Sequence, residues 1–281
     1  MDQVLVFKDV TKIYPSFTLE NISFALSRGE IMGLIGANGA GKTTLIKSLV
    51  GLVGISSGHI YMSGKDISAT ANYKLRLGYV ADSCYFPESW CAHHVGAMLR
   101  YAYPTWNQQE YLHLLQQFAI PEKKPIKSYS KGMLMRLMIA SVLSRDNDLL
   151  VLDEPTGGLD PAMHEEFLRL VHHYATKRNC SVIYSTHVTT DLEKIADTVT
   201  FLHHGKLVFS KKMHDLDLEF SVVRFPAQSS DVVKYRPLCY GWRIIDDIFE
   251  GLLNRTEAPV QAKPASLEQI MILHGTNGGA I

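Results

Sequence analysis

Apolar positions along the chain follow two different periods, and the period changes where the elements change. Residues 3–10 (QVLVFKDV) and 17–26 (FTLENISFAL) are rich in Val, Leu, Ile and Phe with partial alternation. With Tyr14, Pro15 and Ser16 between them, they predict two strands joined by a turn. Glu30 to Ile35 (EIMGLI) reads as a short buried strand running into glycines. TTLIKSLVGLV then places Leu45, Ile46, Leu49 and Val50 on one helical face, with Gly51 positioned to end the helix. HIYMSGKDI predicts a hairpin around Ser63 and Gly64, and LRLGYVAD a further strand.

From Ser83 to about Arg145 the pattern becomes helical and aromatic, most clearly in YLHLLQQF and in YSKGMLMRLMIASVL. DLLVLDEP, residues 148–155, returns to a continuous apolar strand. PAMHEEFLRLVHHYA predicts an amphipathic helix with Pro161 in its first turn and Glu165 paired with Arg169 at i,i+4. SVIYSTH is another buried strand, and TVTFLHHGKLVFS a hairpin turning at His204 and Gly205. Strands that alternate with helices imply a mainly parallel sheet with ligands at its carboxyl ends.

Beyond about residue 215 the pattern weakens to RFPAQSS and TEAPVQAKPAS, a helix in SLEQIMIL and the glycine-rich tail GTNGGAI. The expected organisation is therefore α/β. Residues 1–215 form a mainly parallel core with an N-terminal antiparallel β subdomain and a helical insert over about 83–146; residues 216–281 form a small C-terminal appendage with a flexible tail.

Composition narrows the function. The 28 Lys and Arg balance the 28 Asp and Glu, so no global field draws the chain to a polyanion, and nucleic acid is not expected as a partner. Cys84, Cys91, Cys180 and Cys239 lack CxxC spacing and read as reduced thiols of a cytosolic protein. The N-terminal MDQVLVFKDVTK is not a signal peptide, and nowhere do 18 apolar residues follow one another. The pairs His93-His94, His172-His173 and His203-His204 read as solvated surface and not as metal sites, because neighbours on a helix point about 100° apart and cannot easily share a metal.

The chemistry begins at GANGAGKTT, Gly36 to Thr44, which fits G-x-x-x-x-G-K-[ST] between a buried strand and a helix. Gly36, Asn38, Gly39, Ala40 and Gly41 let backbone N–H groups turn toward phosphate oxygens. Lys42 adds a point charge, Thr43 a hydroxyl for Mg²⁺, and Thr44 continues the helix whose positive end faces the loop. Asp153 and Glu154 close the strand LLVLDEP, the first suited to a metal shell and the second to polarising water. Asp160 before Pro161 is equally placed to cap the next helix, and His187, closing the strand SVIYSTH where an imidazole could sense a phosphate, reads taken alone as structural. YSKGM, Tyr129 to Met133, taken alone is only a helix start.

Together these stretches resemble the nucleotide-binding subunit of ATP-binding cassette (ABC) transporters over nearly all of residues 1–215. The resemblance implies a P-loop NTPase fold of ABC ATPase type, ATP and Mg²⁺ as cofactors, and ATP hydrolysis with Glu154, His187 and Lys42 as catalytic residues. It implies that Ser130 and Gly132 serve the phosphates of a facing copy, that Tyr14 stacks on adenine, and that Gly158 to Asp160 link the two sites. His187 becomes the switch histidine, and Thr43, Asp82 and Asp153 the metal-site residues.

Lys131, Met133 and Asp82 depart from the residues most frequent at these places in that family. YSKGM and the closing SLEQIM are similar to the bacterial drug, peptide and lantibiotic exporter branch. That branch implies a separate multi-span membrane permease, a second cassette as homodimer or related heterodimer, and a place on the cytoplasmic face of the membrane. Two alternatives stand beside it: a nucleotide-gated sensor or immunity module with low turnover, motivated by Asp82, and a soluble cassette ATPase acting on ribosome or DNA. Of the aromatics after Asp82, at least one of Tyr85, Phe86 and Trp90 is expected to be exposed for the membrane partner, the others filling a core.

Overall fold

The computed structural model describes residues 2–156, 159, 161–260, 262–274 and 276, with Ala162 described for its backbone alone. Asp160, Gly158 and, apart from Thr276, the expected flexible tail 275–281 lie outside the described residues.

Three sheets organise the chain. The first is antiparallel, in the order β2 (Phe17–Ser27), β1 (Gln3–Tyr14), β4 (Ser57–Met62), β5 (Lys65–Asp66). The second runs β10 (Lys206–Lys212), β9 (Thr198–His203), β3 (Ile31–Ile35), β8 (Ser181–Ser185), β7 (Leu149–Asp153), β6 (Leu77–Val80), and all its pairings are parallel except that of β9 with β10. Every residue of β3, β7 and β8 is buried, as expected for central parallel strands covered on both faces.

Alternation then sorts side chains to the two faces. Met32, Leu34, Leu149, Val151 and Ile183 join the core under the first sheet and helix α1 (Lys42–Leu49), while Ile31, Ile35, Leu150, Leu152, Val182 and Tyr184 join the core under the remaining helices. On that second face lie α2 (Ala92–Ala102), α3 (Gln108–Gln117), α4 (Lys131–Leu143), α5 (Pro161–Arg178) and α6 (Thr189–Ile195).

The helical insert is fastened by two polar side chains placed inside it. Tyr111 is fully buried and donates to the Ala92 carbonyl at 2.9 Å. Its ring lies so close to Gly96 that an added Cβ there would meet it at 2.7 Å. Arg145, also buried, donates to the carbonyls of Leu75 and Leu77 at 3.0 and 2.7 Å while its guanidinium sits 3.8 Å from the Tyr103 ring centroid. The insert is thereby tied to β6, the strand that leads to Asp82.

Three expectations change. Glu165 forms its ion pair with Lys194 of α6 and not with Arg169, because packing brings α6 against α5. The third histidine pair is not simply solvated: His203 is half-buried, with its ring 6.2 Å from Phe201 and 6.4 Å from His274.

The region after 215 holds far more regular structure than its pattern suggests. After α7 (Met213–Glu219), a third, antiparallel sheet runs β12 (Gly241–Ile245), β13 (Ile248–Asn254), β11 (Phe220–Pro226), β14 (Lys263–Pro264), with α8 (Ser230–Tyr235) and α9 (Leu267–Leu273) beside it. Val223, Phe249 and Leu253 form a small core of its own, while Val222, Leu252, Ile270 and Leu273 enter the main one.

Candidate functional site

The loop between β3 and α1 has a shape that only its glycines allow. Gly41 stands at φ +110°, and an added Cβ on Gly36 would strike the Leu202 carbonyl oxygen at 2.4 Å. Gly41 also occupies the N-cap of α1 without a side-chain hydrogen bond, which leaves the first amides of the helix available to an anion. Lys42 is buried and folds back to donate to the carbonyls of Gly36 at 2.6 Å and Ala37 at 3.4 Å. Burial pushes its ammonium pKa down, and the nearby charges of Glu154 and Asp153 only partly offset this.

Asp153 ends β7 in the interior. Burial pushes its carboxyl pKa up, and the charges of Asp82 and Glu154 add to the rise while Lys42 opposes it. Glu154 follows in the left-handed region at φ +49°, an unfavourable conformation for a side chain of this kind and one held by its N–H donating to the Ser185 carbonyl at 2.9 Å. The turn brings Glu154 Oε2 to 2.7 Å from Nδ1 of His187, just beyond β8.

Two clefts flank the loop. One, of about 350 Å³, is lined by Phe17, Ala37 to Thr44, Asp153 and Glu154. The other, of about 490 Å³, is lined by Gly36, Ala37, Asn38, Asp82, Lys131, Glu154, His187 and Met271. Gly36, Asn38, Gly39, Ala40, Gly41, Lys42, Thr43, Thr44, Asp82, Asp153, Glu154 and His187 are thus assembled around one loop.

Tyr14 is not among them. It lies half-buried at the end of β1 with the Lys12 ammonium 5.1 Å from its ring centroid, and the aromatic beside the loop is its cross-strand partner Phe17. Ser130 and Gly132 line neither cleft. The Ser130 hydroxyl instead caps α4, accepting from the Met133 N–H at 3.3 Å, and Lys131 between them is the residue that borders the chain's own cleft.

Phe17 and Met271 were not legible as site residues. Phe17 has the signal of an aromatic three residues past Tyr14, while Met271 of α9 arrives from the far end of the chain with none.

The donors suit a magnesium nucleotide. Thr43, Asp82 and Asp153 offer hard oxygens, and among the described residues no group of three or more His, Cys, Asp or Glu forms a metal cluster on its own. A metal that draws part of its shell from phosphate oxygens fits such a set.

The family described as ABC transporter matches residues 19–157. The bacitracin transport ATP-binding protein BcrA of Bacillus licheniformis is 33% identical over 213 residues, covering 74% of this chain and 69% of BcrA. The lantibiotic transport ATP-binding protein SrtF of Streptococcus pyogenes is 32% identical over 74% of this chain and 91% of its own length. The uncharacterised ABC transporter ATP-binding protein YhcH of Bacillus subtilis is 29% identical over 97% of this chain and 91% of its own, so its similarity extends through the C-terminal sheet. Among solved structures, an ATP-binding subunit of an ABC transporter aligns with TM-score 0.70 and 27% identity over 76% of this chain and 91% of that one. The dimeric cassette MJ0796 shares the fold at TM-score 0.68 and 20% identity, over 74% of this chain and 98% of its own.

Proposed function

The chain belongs to the ABC transporter family, as one of its ATP-binding ATPase subunits, and on that premise we propose that it powers a membrane exporter by ATP-driven closure of two cassettes. The observation that carries this reading is the Glu154–His187 contact of 2.7 Å beside a phosphate loop whose Lys42, like Asp153 at the end of β7, is buried with no ion pair among the described residues.

In this reading Lys42 swings from the Gly36 carbonyl to the β- and γ-phosphates, which the positive end of α1 also favours. Thr43, Asp153 and Asp82 would hold Mg²⁺, which would supply charge neutralisation to the phosphates. Glu154 takes the proton of the attacking water, and His187, bonded to that carboxylate, keeps it aimed at the cleft. Ser130 and Gly132 supply donors to the nucleotide of the facing copy from the N-terminus of α4, with Asp160 linking the two sites. Phe17 takes the base-side position that the resemblance gives to Tyr14.

No helix among the described residues is long and apolar enough to cross a membrane, so export in this reading needs a separate multi-span permease that holds the chain at the cytoplasmic face. The relatives named for bacitracin and lantibiotic transport favour a peptide-like cargo.

Glu154→Gln tests the reading, because it keeps the shape of the site and removes the base. Turnover is expected to fall by roughly 100-fold or more, with MgATP still bound and a dimer accumulating in light scattering. A nucleotide-saturated protein that stays monomeric rejects closure, and Ser130→Arg is expected to abolish the dimer while monomer affinity holds. The Asp82 charge that raises Asp153 favours one second reading, a nucleotide-gated sensor with little turnover. Steady ATP hydrolysis by the assembled complex rejects it.

A further inference from the structure

Asp191 is a carboxylate with no place in the chemistry above, and it is one of the most buried charged groups of the molecule, 2% exposed. It sits on α6, four residues after His187. Its Oδ1 lies 2.8 Å from Nε2 of His164 on α5. Its Oδ2 accepts from the Tyr184 hydroxyl of β8 at 3.1 Å and from the Thr156 hydroxyl at 3.4 Å.

Each of these partners is close in sequence to a part of the nucleotide site. Thr156 follows Glu154 by two residues, Tyr184 precedes His187 by three, and His164 lies in the first turn of α5 beyond Asp160. The residues bordering the two clefts do not include Asp191, so it does not reach the space in which a nucleotide would lie.

A buried carboxylate is costly unless donors surround it, and this one is surrounded only while four separate segments keep one arrangement. Two of those segments need holding. Glu154 is in the left-handed region and is held by the backbone bond from its N–H to the Ser185 carbonyl. His187 has a side chain 67% exposed, and among the described residues its hydrogen-bond contact is the Glu154 carboxylate. The Thr156 bond fixes the far side of the Glu154 turn, and the Tyr184 and His164 contacts fix the helix that follows His187.

We infer that Asp191 is a positioning residue for the Glu154–His187 pair, locking the turn after β7 to the helix after β8 so that the two side chains meet in register. This rests on the reading that the pair acts on bound nucleotide, and it adds a residue that touches no part of the nucleotide.

The test compares ATP turnover by the full chain and its Asp191→Asn variant, alone and in a His187→Ala background. An asparagine of the same shape turns an amide N–H₂ toward groups that themselves donate. Turnover is expected to fall roughly 10- to 100-fold, as misplacement of reacting groups by a fraction of an ångström to an ångström does, with the KM for ATP within about twofold. In the His187→Ala background the same change is expected to cost less than about twofold, because there is no longer a pair to align.

A kcat within twofold of the parent overturns the inference. So does an equal loss in both backgrounds, which is the mark of a merely structural role. If Asp191→Asn does not fold, Thr156→Val removes one donor and leaves the carboxylate paired. Its turnover is expected to drop severalfold, with no further drop in His187→Ala, and an unchanged kcat overturns the inference equally. If His187→Ala and Glu154→Gln themselves leave turnover intact, the failure belongs to the functional reading of the pair and not to Asp191.

Discussion

Asp153 at the end of β7 and Glu250 in β13 are carboxylates of nearly equal burial, 4% and 5% exposed, yet their surroundings push them in opposite directions. For Asp153 burial raises the pKa, and the neighbouring charges of Asp82 and Glu154 raise it further. For Glu250 burial would do the same, but Arg224 and Arg243 outweigh it: two nitrogens of Arg224 reach Oε1 at 2.9 and 2.6 Å, and Arg243 reaches Oε2 at 2.8 Å. The C-terminal sheet completes its own buried charge, while the parallel sheet leaves Asp153 and Lys42 both disfavoured in their charged forms. Charge left incomplete in a cleft is stabilised when a ligand brings the missing partner, and that is how a binding site differs from a structural ion cluster of similar burial.

The largest effect that could break this comparison is at Lys42. Lys42→Ala is expected to weaken ATP binding by roughly 100-fold or more, about 3 kcal/mol, since a charge-assisted contact to phosphate is lost. The nucleotide-free chain is expected to lose no thermal stability, because the desolvated ammonium is disfavoured without its ligand. Calorimetric titration with unchanged affinity removes Lys42 from the site; a sharp fall in melting temperature without nucleotide would show that its role is structural.

A smaller pair of effects sharpens the contrast by sign. Glu250→Gln is expected to cost about 2 kcal/mol of stability, because two guanidinium groups lose their shared carboxylate, with ATP turnover unchanged. Asp153→Asn is expected to keep or raise the stability of the nucleotide-free chain at neutral pH while abolishing Mg²⁺-dependent turnover.

The pH dependence follows from linkage. Glu250 has a folded pKa below its ordinary 4.5, so its contribution is full above that value and is lost as pH falls through the lower folded one. Asp153 has a folded pKa above 3.8, so ionising it costs stability above the folded value, and the cost is gone once pH is below 3.8. Acid unfolding followed by circular dichroism should therefore show the Glu250→Gln deficit shrinking toward low pH, and any Asp153→Asn advantage shrinking in the same direction.

The same contrast separates what the sequence made legible from what it hid. The phosphate loop is local, so GANGAGKTT carries its glycines, lysine and threonine in one run, and the apolar strand LLVLDEP delivers Asp153 and Glu154 to its end. The C-terminal sheet was hidden because its devices break the usual signals. The β12–β13 hairpin turns at Asp246 and Asp247, both at positive φ without a glycine, and Glu250 interrupts an otherwise apolar strand whose partners, Arg224 and Arg243, lie on two other strands.

At the site, the placement of Phe17 beside the loop, with Tyr14 across from it, depends on strand register. An extra residue in β1 between Phe7 and Val10 is offset by one in β2 between Ile22 and Leu19, so Tyr14 ends opposite Phe17, and periodicity cannot place such shifts. Asp191 and Met271 come into place through tertiary packing, and nothing in their local sequence marks them.

The smallest effect concerns apolar surface near the site and far from it. Of the three aromatics that follow Asp82, Phe86 is buried, Trp90 is half-buried and Tyr85 is 49% exposed. Tyr85 is held in place, its hydroxyl donating to the Tyr79 carbonyl at 2.9 Å and its ring centroid 4.7 Å from that of Phe86, so its exposed half is a rigid anchor and not a loose side chain. Leu75 and Met98 are also exposed on the elements flanking it, and Tyr101 on α2 is almost wholly exposed. A rigid aromatic beside a helical surface suits an apolar helix of a membrane partner. The comparison region supplies the control, because Val233 on α8 of the C-terminal unit is 78% exposed and remote in the chain from the insert. Tyr85→Ala is expected to lower co-purification with the proposed membrane subunit severalfold while ATP affinity holds, and Val233→Ala to change neither. Tyr85→Phe keeps the ring and loses one hydrogen bond worth about 1 kcal/mol, so it should assemble normally with slightly lower stability. Equal recovery of the partner by Tyr85→Ala and the parent would place the docking groove elsewhere. A deficit shared by Tyr85→Phe would show that the hydroxyl bond, and not the exposed ring, is what assembly requires.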